Sequence, residues 1–252
     1  QPEEWLRWMT FRTRLMGELY EGVRKSLKSV NPGYSLHSGN YAPEQLMDGC
    51  YPPTQGYAMD VISSHAYSDP LSCWYYYDMQ RMDNWEKPSW FMPVWWPDFD
   101  HSLVRSLIGS ALIGGTAGVG WGIEEDFGFN TAPHGATDLY VLGEVQKLNT
   151  FLEENGEFIS RLKRQASPVA ILFSLTEGAF SLGGDFDNYL DAILWNQKYS
   201  GRVNHAWLTS VLAGYPPDPI CEEEVLKGNL TKHKILLLVR QCHLTPPVQR
   251  KL

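Results

Sequence analysis

Glu124, Glu125 and Asp126 stand together directly after a stretch rich in glycine and apolar residues, and Asp98 follows a run of tryptophans. Carboxyl groups gathered behind a buried strand suit acid catalysis, because burial raises a carboxyl pKa toward neutrality and a proton can then be given up there. His37 with Asn40, and His65 with Tyr67, add two further polar pairs. Trp90, Trp95, Trp96 and Trp121 offer flat apolar faces of the kind that lie beneath C–H-rich sugar rings. Each residue also has a plainer reading. His65 is equally the pattern of a hydrogen-bonded core histidine, Trp121 of core packing, and the acidic triplet of a solvated turn. Trp95 and Trp96 point in opposite directions along an extended chain, so at most one of them faces any shared opening.

These residues need elements that bring them together. Apolar periodicity alternates between helix and strand along the chain, which is the signature of an α/β architecture with a parallel sheet. A long amphipathic helix is expected over Pro2–Val30, carrying Trp5, Trp8, Met9, Leu15, Leu19, Val23 and Leu27 and closed by Asn31-Pro32-Gly33. Strands are expected at Tyr34–Gly39, Met59–Tyr67, Lys87–Trp96 and Val119–Ile123, with a loop over Tyr41–Tyr57. Helices are expected near Leu71–Asn84, Leu103–Ile113 and Thr137–Leu162. In a βα-barrel, reactive side chains project from the C-terminal strand ends. The four ends here would carry His37 and Asn40, then His65 and Tyr67, then Trp95, Trp96 and Asp98, then Trp121, Glu124 and Glu125.

Past Ser167-Pro168 the pattern restarts with Val169–Ser174, a helix near Tyr189–Tyr199 and an apolar strand at Lys234–Val239. A boundary is therefore expected near Arg164–Ser167. A two-stranded sheet cannot bury its own faces, so missing sequence is expected at both ends of the chain. Glu222-Glu223-Glu224 reads as helix surface, and Asn229-Leu230-Thr231 fits a glycosylation acceptor.

Four segments together resemble the clan A glycoside hydrolases, most nearly the family 42 β-galactosidases. They are the opening helix with Asn31-Pro32-Gly33, Asp60–Tyr67 with its His-x-Tyr, Lys87-Pro88 before the third strand, and Gly114-Gly115-x-x-Gly118-Val119-x-Trp121. The resemblance implies that residues 1–165 are the second half of a (β/α)8 TIM barrel, strands five to eight, and that residues 166–252 begin a flavodoxin-like domain. It implies cleavage of β-linked sugars, β-galactosides among them, by two carboxyl groups without metal or organic cofactor. The comparable second domain in that family helps assemble homo-oligomers. The family's acid/base is a Glu after Asn on the fourth strand; this chain has no Asn-Glu pair, so that residue would lie upstream of Gln1. The nucleophile would fall about at Pro93, which leaves Asp98, Glu124 or Glu125 to supply the carboxylate, or leaves a barrel that only binds sugar.

Composition narrows the field further. A formal charge of −8 opposes polyanionic partners such as nucleic acid, and no basic patch offsets it. Cys50, Cys73, Cys221 and Cys242 are too scattered for a zinc site, and buried free thiols are the default. The 18 uncharged residues Ser106–Ile123 contain six glycines, so a buried helix, a turn at Gly114-Gly115 and a buried strand fit better than a membrane span. That stretch has neither G-x-G-x-x-G nor a phosphate loop. The charged opening QPEEWLRWMTFRTRL is unlike a signal peptide and leaves the compartment open.

Overall fold

The computed structural model describes residues 2–40, 51–66, 70–93, 104–119, 139–162, 165–181 and 189–252. The chain is α/β, with two parallel sheets.

The first sheet holds β1 (His37–Asn40), β2 (Val61–Ala66), β3 (Ser89–Pro93) and β4 (Gly118–Val119), side by side in chain order and all parallel. Helices separate them: α1 (Pro2–Val30) precedes β1, then α2 (Pro52–Ala58), α3 (Pro70–Gln80) and α4 (Val104–Ile113) join successive strands, and α5 (Leu139–Arg161) follows β4. The uncharged stretch from Ser106 is thus a helix, a turn with Gly115 at φ 81 and a strand. No described helix is long and apolar enough to cross a membrane.

Local chemistry explains several boundaries. α1 has Glu3 and Glu4 in its first turn and Lys28 in its last, each complementing the helix dipole. It ends where the Asn31 side chain accepts a hydrogen bond from Gly33 N (2.9 Å). α2 replaces part of the expected loop, because Pro52 and Pro53 sit in a first turn where an amide hydrogen would go unused. α1 is amphipathic as expected, but its apolar stripe of Trp8, Phe11, Leu15, Leu19 and Val23 is exposed, while Met9, Thr13 and Gly17 are buried. A Cβ at Gly17 would lie 2.8 Å from the Thr54 carbonyl oxygen, so the glycine sets how closely α1 approaches α2.

The second sheet has the order β6–β5–β7: β5 (Val169–Phe173) lies between β6 (Asp218–Cys221) and β7 (Ile235–Leu237). It has three strands where two were expected. Val-Ala-Ile-Leu-Phe of β5 is buried throughout, as a strand covered on both faces requires. Around it stand α6 (Leu175–Ser181), α7 (Tyr189–Leu212), α8 (Glu222–Leu226) and α9 (Pro246–Gln249).

α3 serves both sheets. Cys73 and Tyr77 pack with Phe91, Leu107 and Ala111 on the first. Tyr75, Met79 and the following Met82 join Phe173, Tyr199, Val203 and Trp207 of the second in one buried cluster. Cys73 and Cys221 are buried free thiols as expected, whereas Cys242 is exposed; Cys50 lies outside the described residues.

The turn after α4 gives a direct test of packing. A Cβ on Gly114 would lie 2.8 Å from the ring of Tyr77, which is itself buried and hydrogen-bonded to Ser89. Gly114→Ala is expected to lower stability by about 1–3 kcal/mol, read from urea unfolding, because neither ring nor turn can yield. An unchanged midpoint would show that Tyr77 swings aside freely.

Candidate functional site

Because all four strands of the first sheet run the same way, their C-terminal ends, Asn40, Ala66, Pro93 and Val119, share one edge. Asn40 pairs in register with Ser64, and His65 with Met92, so both lie within one or two residues of that edge. Tyr67 follows β2 directly, Trp95, Trp96 and Asp98 follow β3, and Trp121, Glu124 and Glu125 follow β4. Those seven residues lie outside the described residues.

His37 departs from the expectation. It opens β1, in register with Val61, at the opposite edge from Asn40, because the strand starts three residues later than the periodicity suggested. Its ring lies 5.4 Å from that of Trp90, at a tilt of 39°. Trp90 is 40% exposed and leans over Gly118, where a Cβ would sit 3.0 Å from the indole. The glycine therefore allows the indole to lie across β4. On the other face of the sheet, Ile62 and Phe91 are buried.

The entrance edge of this sheet is fixed by charge. Asp60, just before β2, accepts hydrogen bonds from Leu36 N and Arg24 Nε (both 3.0 Å) and lies 3.3 Å from Lys28 Nζ. Burial alone would raise the Asp60 pKa, but the Leu36 amide and the two cations hold it below the usual value. α1 is thereby tied to the start of two strands. Lys87, of the Lys-Pro pair, donates to the carbonyls of Gly56, Tyr57 and Met59 (2.7, 2.7 and 2.9 Å). With all three donors spent on the end of α2, it positions β3 structurally. Burial lowers its pKa.

The second sheet offers another place to look, since doubly wound sheets bind ligands outside the C-terminal strand ends where the strand order reverses. Among the described residues, the side chains of Glu222 and Glu177 bind the groups beyond those strand ends. Glu222, at the end of β6, accepts hydrogen bonds from Ser174 Oγ, Thr176 N (3.0 Å) and Thr176 Oγ1 (2.9 Å). Glu177 accepts from the amides of Cys242 (2.8 Å) and His243 (2.7 Å) beyond β7, and His243 Nδ1 lies 3.3 Å away. The chain turns there through Arg240 at φ 48. Burial raises the Glu222 pKa, with the Ser174 and Thr176 hydrogen bonds opposing it.

The acidic triplet is accordingly not helix surface. Glu222 is 7% exposed and Glu224 6%, while Glu223 accepts a 2.7 Å hydrogen bond from Tyr51 Oη. Glu224 closes a capping box with the Cys221 amide. Burial pushes its pKa up to about 7.

Sequence reasoning passed over one further group. Tyr77, Arg81 and Trp85 recur at a spacing of four, and the Arg81 guanidinium lies 5.1 Å from the Tyr77 ring and 5.0 Å from the Trp85 ring. That spacing was the signal available. The chain matches no protein-family model and none of the curated proteins.

Proposed function

We propose that the chain is half of a (β/α)8 glycoside hydrolase, strands five to eight, acting on β-linked sugars, with β-galactosides the first to test. One observation carries the reading: the four segments bearing the candidate residues leave the same edge of one parallel sheet in neighbouring order. Asp98 on the segment after β3, or Glu124 or Glu125 on the segment after β4, would attack the anomeric carbon, and the carboxyl group that protonates the leaving oxygen would come from the other half of the barrel. Tyr67, His65, Asn40 and the tryptophans Trp95, Trp96 and Trp121 would hold the sugar.

Unfilled surfaces support closure into a barrel. Among the described residues β1 and β4 have no strand on their outer edges, and the helices beside them expose apolar residues, Trp8 to Val23 on α1 and Phe151 and Phe158 on α5. Such stripes mark unmade contacts. A second copy fits poorly: α1 precedes β1 and α5 follows β4, so two copies joined edge to edge would bring two helices to each closing gap, where a barrel has one. Four further strands with three helices between them fit the space.

A second reading, a sugar-binding barrel without turnover, is favoured by β3 ending on Pro93, in register with Ala66, so that no carboxylate stands there. Incubating the intact protein with aryl β-glycosides separates the two. The first reading expects hydrolysis that falls in Asp98→Asn, Glu124→Gln or Glu125→Gln. Sugar binding by calorimetry with no hydrolysis would give the second, and neither binding nor hydrolysis would remove both.

A further inference from the structure

Between the two sheets lies a cleft of about 650 Å³, within the range of small-molecule sites. Trp85, from the segment between α3 and β3, lines one side. Glu224 from α8 and His233 from just before β7 line the other.

Two polar atoms there belong to buried side chains and are unused. Glu224 is 6% exposed and spends Oε2 on the amide and thiol of Cys221 (3.3 and 3.8 Å), while Oε1 takes no hydrogen bond from the described residues. The His233 side chain is 7% exposed. Its Nδ1 donates to the Ser167 carbonyl (2.9 Å), which makes Nε2 of the neutral ring an acceptor, and Nε2 likewise receives nothing from the described residues. Neither atom is sealed in the interior, so each keeps surface for a donor to reach. An acceptor held at a cavity wall by an otherwise buried side chain is a place for a donor from whatever enters.

Charge narrows the class of ligand. Glu86 and Asp218 line the cleft together with Arg81 and Lys232, so a charged molecule of either sign meets like charge there. Arg81 offers no anion site, because its Nε is sealed and its Nη1 is bound to the Gly114 carbonyl. The side-chain amides of Gln165 and Asn229 both donate and accept. A neutral molecule with several hydroxyls matches such walls, since each hydroxyl also does both, and Trp85 gives ring C–H groups a flat apolar face.

We infer that the cleft binds a neutral monosaccharide, its hydroxyls donating to Glu224 Oε1 and His233 Nε2 and its ring lying against Trp85. The site is separate from the strand ends proposed for catalysis, and its test needs no turnover. Sugar held at those ends would not respond to Glu224 or His233, so either idea can fail while the other stands.

Titrating the intact protein with glucose, followed by amide NMR shifts, tests it at pH 8, where the Glu224 carboxyl group, its pKa raised to about 7, is mostly ionised. Cyclohexanol keeps a six-membered ring with a single hydroxyl, and glucuronate adds a negative charge. Each is expected to bind at least about tenfold more weakly than glucose, as loss of one charge-assisted contact implies. Glu224→Gln keeps the shape and the Cys221 contact but not the charged acceptor, and is expected to weaken glucose about tenfold. His233→Asn keeps a donor for the Ser167 carbonyl, lacks Nε2, and is expected to weaken glucose about fivefold. Thermal melts check that both variants fold. Glucose binding no tighter than cyclohexanol or glucuronate, or unmoved by either substitution, would overturn the inference.

Discussion

Trp207→Ala is expected to destabilise the chain by about 3–5 kcal/mol, the cost of emptying a large buried aromatic site. Trp207 is wholly buried in α7 and meets Trp74 edge-on (5.1 Å, 85°) and Tyr75 at 5.8 Å, both from α3. It therefore pins the helix of one sheet to the core of the other, and relaxation of either wall would break contacts elsewhere in the cluster. Trp207→Phe should cost far less, about 1.5 kcal/mol or under, because the indole Nε1 is buried without a partner and its removal leaves no acceptor stranded. Chemical denaturation of both variants decides the matter. An alanine variant within about 1 kcal/mol of the parent would mean that the two sheets do not share this core.

Glu224→Gln is expected to stabilise the protein at pH 8 by about 2–3 kcal/mol and to leave it nearly unchanged at pH 4. The folded pKa, raised by burial to about 7, lies above the ordinary value of 4.5. A raised pKa means that the folded state favours the protonated form. This group's contribution to stability is therefore complete below about pH 4.5, is lost as the pH climbs to about 7, and is flat beyond. The amide cannot ionise, yet its oxygen can still accept from the Cys221 amide, as the glutamate does at 3.3 Å. The difference between variant and parent should trace that curve in thermal melts across pH. A constant difference from pH 4 to 8 would show that the carboxyl group is hydrated in the folded state.

Much of this architecture could be read from residue order, and the omissions have physical causes. α1 starts at Pro2 and ends at Val30 as its proline and Asn-Pro-Gly signals predict, and β5 is the apolar run it resembles. β6 escaped because Asp218-Pro219-Ile220-Cys221 pairs two strand-averse residues with two apolar ones. Proline is tolerated there because β6 is the outer strand of its sheet. α7 runs to Leu212, well past the expected Tyr199, since its later turns mix polar residues with the deeply buried Val203 and Trp207. The burial of Glu222 and Glu224 was illegible because three consecutive glutamates look solvated, and the groups that receive Glu222, Ser174 and Thr176, lie 48 and 46 residues away. At the candidate site, the strand edge carrying Asn40 and His65 was legible, while His37 was misplaced by a strand boundary that alternation alone does not fix.

The crevice above β5 and β7 has a different lesson. A parallel sheet of this order normally holds out its loops, hydroxyls and amides to a phosphate or nucleotide, and here Glu222 and Glu177 already hold those positions from within. An incoming anion would have to displace these two carboxyl groups and lose the bonds they make. The second sheet thus spends the hydroxyls and amides beyond its strand ends on its own two glutamates.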